Sequence, residues 1–166
     1  MSIWSKITSA VGSIIGYIEK YTPFRYPVHK YQEEVTKDLW RGSRVDRARV
    51  EDLICRGFKT IVDLCAEYTQ DDELQKKYVA VKFVHIPIID NTTPTNEQAE
   101  KFLNLFKDTD NLPLFVHCEA GEGRTGTMVA LYRIRVQGWT ADAAIQDGAR
   151  HHLCMPNQLE FIRKFK

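Results

Sequence analysis

Residues 114–128 read LFVHCEAGEGRTGTM. Cys118 closes an apolar run of strand character, Gly121 and Gly123 open a turn, and Arg124 and Thr125 begin a segment with helical patterning. Glycines in such a turn let successive backbone N–H groups face inward, and a helix start adds unbonded donors and the positive end of its dipole. Glu119, Ala120, Gly121, Glu122 and Gly123 are therefore expected to cradle a tetrahedral dianion through their amides. Arg124 closes the ring with a planar fork that grips two equatorial oxygens, which a lysine cannot match. Cys118 falls at the bottom of that ring, and surroundings of this kind lower a cysteine pKa from ~8.5 to ~3.5–7.5. The chemistry that follows is attack of a thiolate on phosphorus, a covalent phosphocysteine and its hydrolysis, with the Thr125 hydroxyl helping the sulfur depart. A poor leaving oxygen also needs a proton, and a positioned acid contributes ~10²–10⁴ in rate. Asp90 is the candidate, because it follows VKFVHIPII and precedes the polar NTTPT; Asp63, inside FKTIVDLC, and Asp108, at a helix end, are worse placed. No step calls for a metal or a cofactor, and none is expected.

The elements that must hold these residues are legible from periodicity. KDLWRG (37–42), FKTIVDLC (58–65), VKFVHIPII (81–89) and LPLFVH (112–117) read as strands, the middle two as buried on both faces. Helices are predicted over 45–56, 71–78, 94–108, 124–136, 140–152 and 156–165, with Gly57 and Gly138 as C-terminal stops. Strands alternating with helices imply right-handed crossovers and parallel pairing. The predicted fold is α/β, a central mostly parallel sheet flanked by helices, with the ligand at the carboxyl ends of the strands.

Composition sets the class. The 166 residues suit one domain with a substantial core, and 43% hydrophobic with 27% charged residues excludes a disordered or fibrous chain. A net charge of +1 supplies no cationic field for nucleic acid, so a DNA or RNA partner is not expected. The four cysteines, Cys55, Cys65, Cys118 and Cys154, show neither CxxC nor zinc-ligand spacing, which points to a reducing cytoplasm. No apolar run reaches the ~18 residues of a membrane span. Residues 1–28 separate from the body at 29–166: Ile3, Trp4, Ile7, Val11, Ile14, Ile15 and Ile18 fall on one helical face, followed by the Pro-containing connector TPFRYPV. This amphipathic helix is expected to pack on its own domain, the alternative being a weak peripheral contact with a membrane surface.

HCEAGEGRTG resembles the signature loop of the protein tyrosine phosphatase superfamily: cysteine, five residues, arginine, then Ser or Thr. LWRGS, the strand ending in IPIID and the late PNQLEFI are similar to landmarks of the compact, atypical dual-specificity phosphatases, in the same order from residue 37 onward. The resemblance implies that Cys118 is the nucleophile, Arg124 the phosphate clamp, Asp90 the mobile-loop acid and Thr125 the assisting hydroxyl. HCEAG is closer to the phosphatase-like inositol polyphosphatases of phytase type, which implies inositol phosphates or lipid head groups as substrates before phosphoproteins. Glu122 departs from both groups. Glu119 and Glu122 should charge the rim, each repelling a polyanion by roughly 1 kcal/mol at ~4 Å in water-like surroundings. Arg41, Arg44, Arg47 and Arg49, and a second group of Arg150, His151 and His152, are available to compensate; for Arg44 and Arg47 substrate contact and a solvated helix face are equal readings. His117 is expected to hold the loop by hydrogen bonds, and His85 to be a satisfied core histidine. DLCAE is similar to text of the tensin-type lipid phosphatases, which implies Cys65 as a reversible disulfide partner of Cys118, against a buried inert cysteine. The rivals are a phosphate-binding pseudophosphatase module and a sulfurtransferase.

Overall fold

A computed structural model of the chain describes residues 31–67 and 72–165. The expected N-terminal helix lies outside the described residues. A five-stranded sheet has the order β1 (Gln32–Thr36), β2 (Leu39–Gly42), β5 (Leu114–His117), β3 (Thr60–Cys65), β4 (Lys82–Ile88). β2, β5, β3 and β4 run parallel, as the alternation of strands and helices requires, and β1 alone is antiparallel, pairing with β2. β1 carries no sequence signal: QEEVT is polar and its strand sits at the sheet edge, where one side of the ladder faces solvent.

Six α-helices complete the described residues: α1 (Arg47–Cys55), α2 (Asp72–Lys77), α3 (Asn96–Asn104), α4 (Gly123–Arg135), α5 (Ala141–Ala149) and α6 (Pro156–Lys164). Asp46 caps α1, accepting from the Arg49 N–H at 2.8 Å, and Gly57 follows the helix at φ 85°, a conformation other residues adopt at a cost. α3 begins in a capping box between Thr95 and Gln98 and ends near Asn104, where a 3₁₀ turn over Leu105–Lys107 replaces the longer helix expected from the apolar spacing. β3 is buried on both faces as expected. β4 is not: it is the opposite edge strand, with Lys82 and Pro87, and Ile89 just past its end, turned to solvent. The larger core packs Phe102, Val62, Val116, Leu131 and Ile162 among others between the sheet and α3–α6; a smaller one gathers Phe58 and Phe115 with Val50 and Leu53 of α1. This double covering holds the carboxyl ends of β5 and β3 rigid, which fixes where Cys118 emerges.

Candidate active site

The register Asp63↔His117↔Gly42 aligns the ends of β3, β5 and β2, and Cys118 follows immediately, buried at the start of the loop into α4. β2 buttresses that loop. Arg44 N–H donates to the Glu119 carbonyl at 3.1 Å. A Cβ at Gly121 would lie 2.6 Å from the Gly42 carbonyl carbon, and Gly121 itself has φ 78°, so only glycine fits between loop and strand. The bend expected at Gly121 is present, while Gly123 is kept side-chain-free by Gln158, whose Oε1 stands 3.0 Å from where a Cβ would be.

Arg124 is buried to 2% of its side-chain surface, and carboxylates face both of its terminal nitrogens. Nη1 donates to Glu67 Oε2 at 2.7 Å and to the Ile88 carbonyl at 3.1 Å, and Nη2 stands 3.2 Å from Asp90 Oδ1. Nε is buried without a partner. Burial works against the guanidinium charge, yet the Glu67 bond and the nearby Cys118, Cys65 and Asp90 more than compensate and hold its pKa above the ordinary arginine value. The same bond keeps the Glu67 carboxyl below the usual range. Sequence reasoning missed Glu67; it stands two residues past Cys65 at the carboxyl end of β3, a position that was open to the same argument applied to Asp90.

Asp90 is 63% exposed, at the turn after β4, and meets Arg124 as described. Its turn is pinned from α6: Asn157 Nδ2 donates to the Asn91 carbonyl at 2.9 Å and Gln158 Nε2 to the Thr92 carbonyl at 3.0 Å. The PNQ text at the start of α6 therefore joins the loop of Cys118 to the turn of Asp90. The Thr125 hydroxyl is buried with no hydrogen-bond partner in the first turn of α4. Asp63 instead caps its own strand end, accepting from Cys65 N–H at 2.8 Å, and Asp108 accepts from Asp110 N–H in a 3₁₀ turn.

Glu119 is paired with Arg44 at 3.6 Å, and Glu122 is half-buried at the head of α4. Arg47 pairs with Glu51 one helical turn on, which is the solvated-face reading. Arg150 faces Asp147, and His151 stands 3.2 Å from Glu33. Arg41 departs from the surface expectation: only 1% exposed, it lies beneath the loop and donates from Nη2 to the Gly121 carbonyl at 2.6 Å.

Two histidine expectations separate. His85 donates from Nε2 to the Cys65 carbonyl, 2.7 Å away, and is satisfied. Neither ring nitrogen of His117 meets strict hydrogen-bond geometry, and the contact it keeps with the loop is to the Cys118 backbone. It is packed against Phe115 with its Nδ1 3.7 Å from Asp63, and burial pushes its pKa down against the opposing pull of Asp63. Cys65 is likewise buried, and burial, with Asp63, pushes its thiol far above the ordinary cysteine value.

A family model described as "DSP-PTPase phosphatase fused to NAD+ Kinase" matches residues 24–161. The chain belongs to that DSP-PTPase family. It is 33% identical over 113 residues to "Probable NAD kinase 2, chloroplastic" of Oryza sativa subsp. japonica, a match spanning 64% of this chain and 12% of the relative. It is also 33% identical over 86 residues to the dual specificity protein phosphatase CDC14A of Homo sapiens, covering 51% of this chain and 14% of that one. The chain thus spans about an eighth of the plant relative's length. Among solved structures, PTPMT1 in complex with PI(5)P superimposes with a TM-score of 0.72 at 23% identity over 82% of this chain and 94% of that one. The catalytic core of the PP-IP phosphatase SIW14 from S. cerevisiae gives 0.72 at 20% identity over 83% and 86%. These structures establish the shared fold: a mostly parallel sheet flanked by helices.

Proposed function

We propose that residues 29–166 hydrolyse phosphate monoesters through a phosphocysteine at Cys118, with inositol phosphates or phosphoinositides as the leading substrates and phosphoproteins next. The observation that carries this reading is the buried Arg124 fork, with Asp90 3.2 Å from one of its ends and the cysteine at the foot of the same loop. An equatorial dianion would take the place of Asp90 at Nη2 and engage the unpartnered Nε, while Glu67 keeps its bond to Nη1 and so orients the fork.

In the first step the Cys118 sulfur forms an S–P bond as the P–O bond to the leaving group breaks, and protonated Asp90 gives its proton to the departing oxygen. Inward amides of residues 119–123 and Arg124 hold the charge on the three equatorial oxygens. In the second step water attacks phosphorus and passes a proton to the Asp90 carboxylate. The S–P bond breaks with Thr125 O–H directed at the sulfur, and inorganic phosphate leaves.

Substrate preference rests on two supports. PTPMT1 was captured with PI(5)P and SIW14 is described as a PP-IP phosphatase, both with this fold. Within this chain, Arg44 offsets the Glu119 charge at the rim, which lowers the repulsion a polyphosphorylated ligand would meet. A reducing setting such as the cytoplasm fits four cysteines that are all unpaired. Cys65 remains a proposed oxidation partner of Cys118. Its raised thiol pKa makes it a slow resolving nucleophile, so peptide mapping after mild peroxide separates a Cys65–Cys118 disulfide from sulfinic acid at Cys118 alone.

The test is phosphate release from a panel of phosphoinositides, soluble inositol phosphates, phosphopeptides and an aryl phosphate, each compared by kcat/KM. Inositol-based substrates are expected to lead. A panel with no turnover, or transfer of sulfur from thiosulfate in its place, would remove the reading.

A further inference from the structure

Arg41 is the largest fully buried side chain in the described residues, and no step above uses it. It occupies β2 opposite Val116 of β5, two residues before Cys118 in the neighbouring strand. Its guanidinium reaches over the sheet to the first turn of α4, where Nη2 lies 3.7 Å from the position a Cβ would take on Gly126. That is an expensive place for a cation. Burial lowers its pKa, and the positive end of α4 adds repulsion. Tyr31 and Glu33 of the β1 side, Asp147 of α5 and Cys118 all pull in favour of the charge. A core position that needed only volume would be filled by Leu or Met at no such cost.

What Arg41 touches explains the cost. Nη2 donates to the Gly121 carbonyl at 2.6 Å, a charge-assisted bond across 80 residues of sequence. In a planar trans peptide the carbonyl and the following N–H point in opposite directions. Holding the Gly121 oxygen down onto Arg41 therefore turns the Glu122 N–H the other way, toward the interior of the ring. Gly121 sits at φ 78°, a backbone its missing side chain permits, and the Arg41 bond is the side-chain anchor of its carbonyl.

Deepening the phosphatase reading on which it rests, we propose that Arg41 is a positioning residue of the phosphate-binding loop. It aims the Glu122 amide at the phosphoryl oxygens and sets a second buried positive charge beneath Cys118.

The experiment compares Arg41→Met, Arg41→Gln and Arg41→Lys with the parent chain in four readouts: melting temperature, kcat and KM on an aryl phosphate, binding of inorganic phosphate by calorimetry, and the rate of Cys118 alkylation by iodoacetamide at neutral pH. Loss of one preorganised donor lowers turnover about 10²-fold, so Arg41→Met is expected to lose about that much in kcat/KM, mostly in kcat. It should also bind phosphate about tenfold more weakly and alkylate more slowly. Arg41→Gln keeps a donor for the Gly121 carbonyl and should recover part of the phosphate binding but not the alkylation rate. Arg41→Lys keeps the charge that Glu33 and Asp147 face, and should alkylate at close to the parent rate with about a tenfold loss in kcat/KM, since an ammonium lacks the fork. A folded Arg41→Met whose phosphate affinity and alkylation rate match the parent within twofold would overturn the proposal, even if its melting temperature fell. If Arg41→Met does not fold, Arg41→Lys decides: the tenfold loss supports the role, and parent-like kcat/KM overturns it. A parent chain that hydrolyses no phosphate ester would overturn the function proposed above, whereas phosphate calorimetry and alkylation, which need no turnover, still read the role of Arg41.

Discussion

At the scale of single residues, the chemistry divides among groups whose removal has different signatures. Cys118→Ser is expected to abolish turnover, and Asp90→Asn to cost about 10²–10⁴ with an alkyl leaving group but far less with a nitrophenolate, which needs no proton. A leaving-group-independent loss in Asp90→Asn would move the acid elsewhere. Glu67 holds Arg124 at 2.7 Å, so Glu67→Gln should raise KM about tenfold with a smaller effect on kcat, read by steady-state kinetics on an aryl phosphate. The proposed nucleophile, clamp and acid were legible because each has a chemical signature in the sequence: HCEAGEGRTG for two of them, a carboxylate after IPII for the third. Glu67 and Arg41 were not, because a charged residue beside a strand end reads as surface until the side chains that surround it are placed.

At the scale of elements, the site depends on how β2 and α6 brace two loops. Gly121→Ala would force a Cβ to within 2.6 Å of the Gly42 backbone at a positive φ, a combination expected to destabilise the fold by about 2–4 kcal/mol. A melting temperature equal to the parent would contradict that. Asn157 and Gln158 hold the turn after Asp90 through its carbonyls, so the double change to Ala should lower kcat with little effect on KM, as the acid spends less time over the pocket. The long periodic elements were readable before the structure, notably β3, β5, α4 and α6, since burial dictates their pattern. β1 was not, because an exposed edge strand of QEEVT has no apolar alternation, and the two-sided burial expected of β4 failed because parallel pairing on one side does not exclude an open edge on the other.

At the scale of the whole molecule, the buried neutral His117 links the site's scaffold to global stability. Its folded pKa lies below that of the unfolded chain, near 6.5, so the unfolded state takes up the proton first. The stability it contributes is present above pH ~6.5 and is lost as pH falls below that toward the folded value, at up to about 1.4 kcal/mol per pH unit. Urea unfolding between pH 7 and 5 should show a steeper loss for the parent than for His117→Gln; parallel curves would mean that His117 does not titrate in the unfolding equilibrium. The account as a whole turns on the covalent intermediate at the focus of the loop. Quenching Asp90→Ala during turnover of an aryl phosphate and mapping its peptides by mass spectrometry should find one phosphoryl group on Cys118, formed with a burst of aryl alcohol equal to the enzyme present. Continued phosphate release with Cys118 unmodified, or from Cys118→Ser, would contradict it.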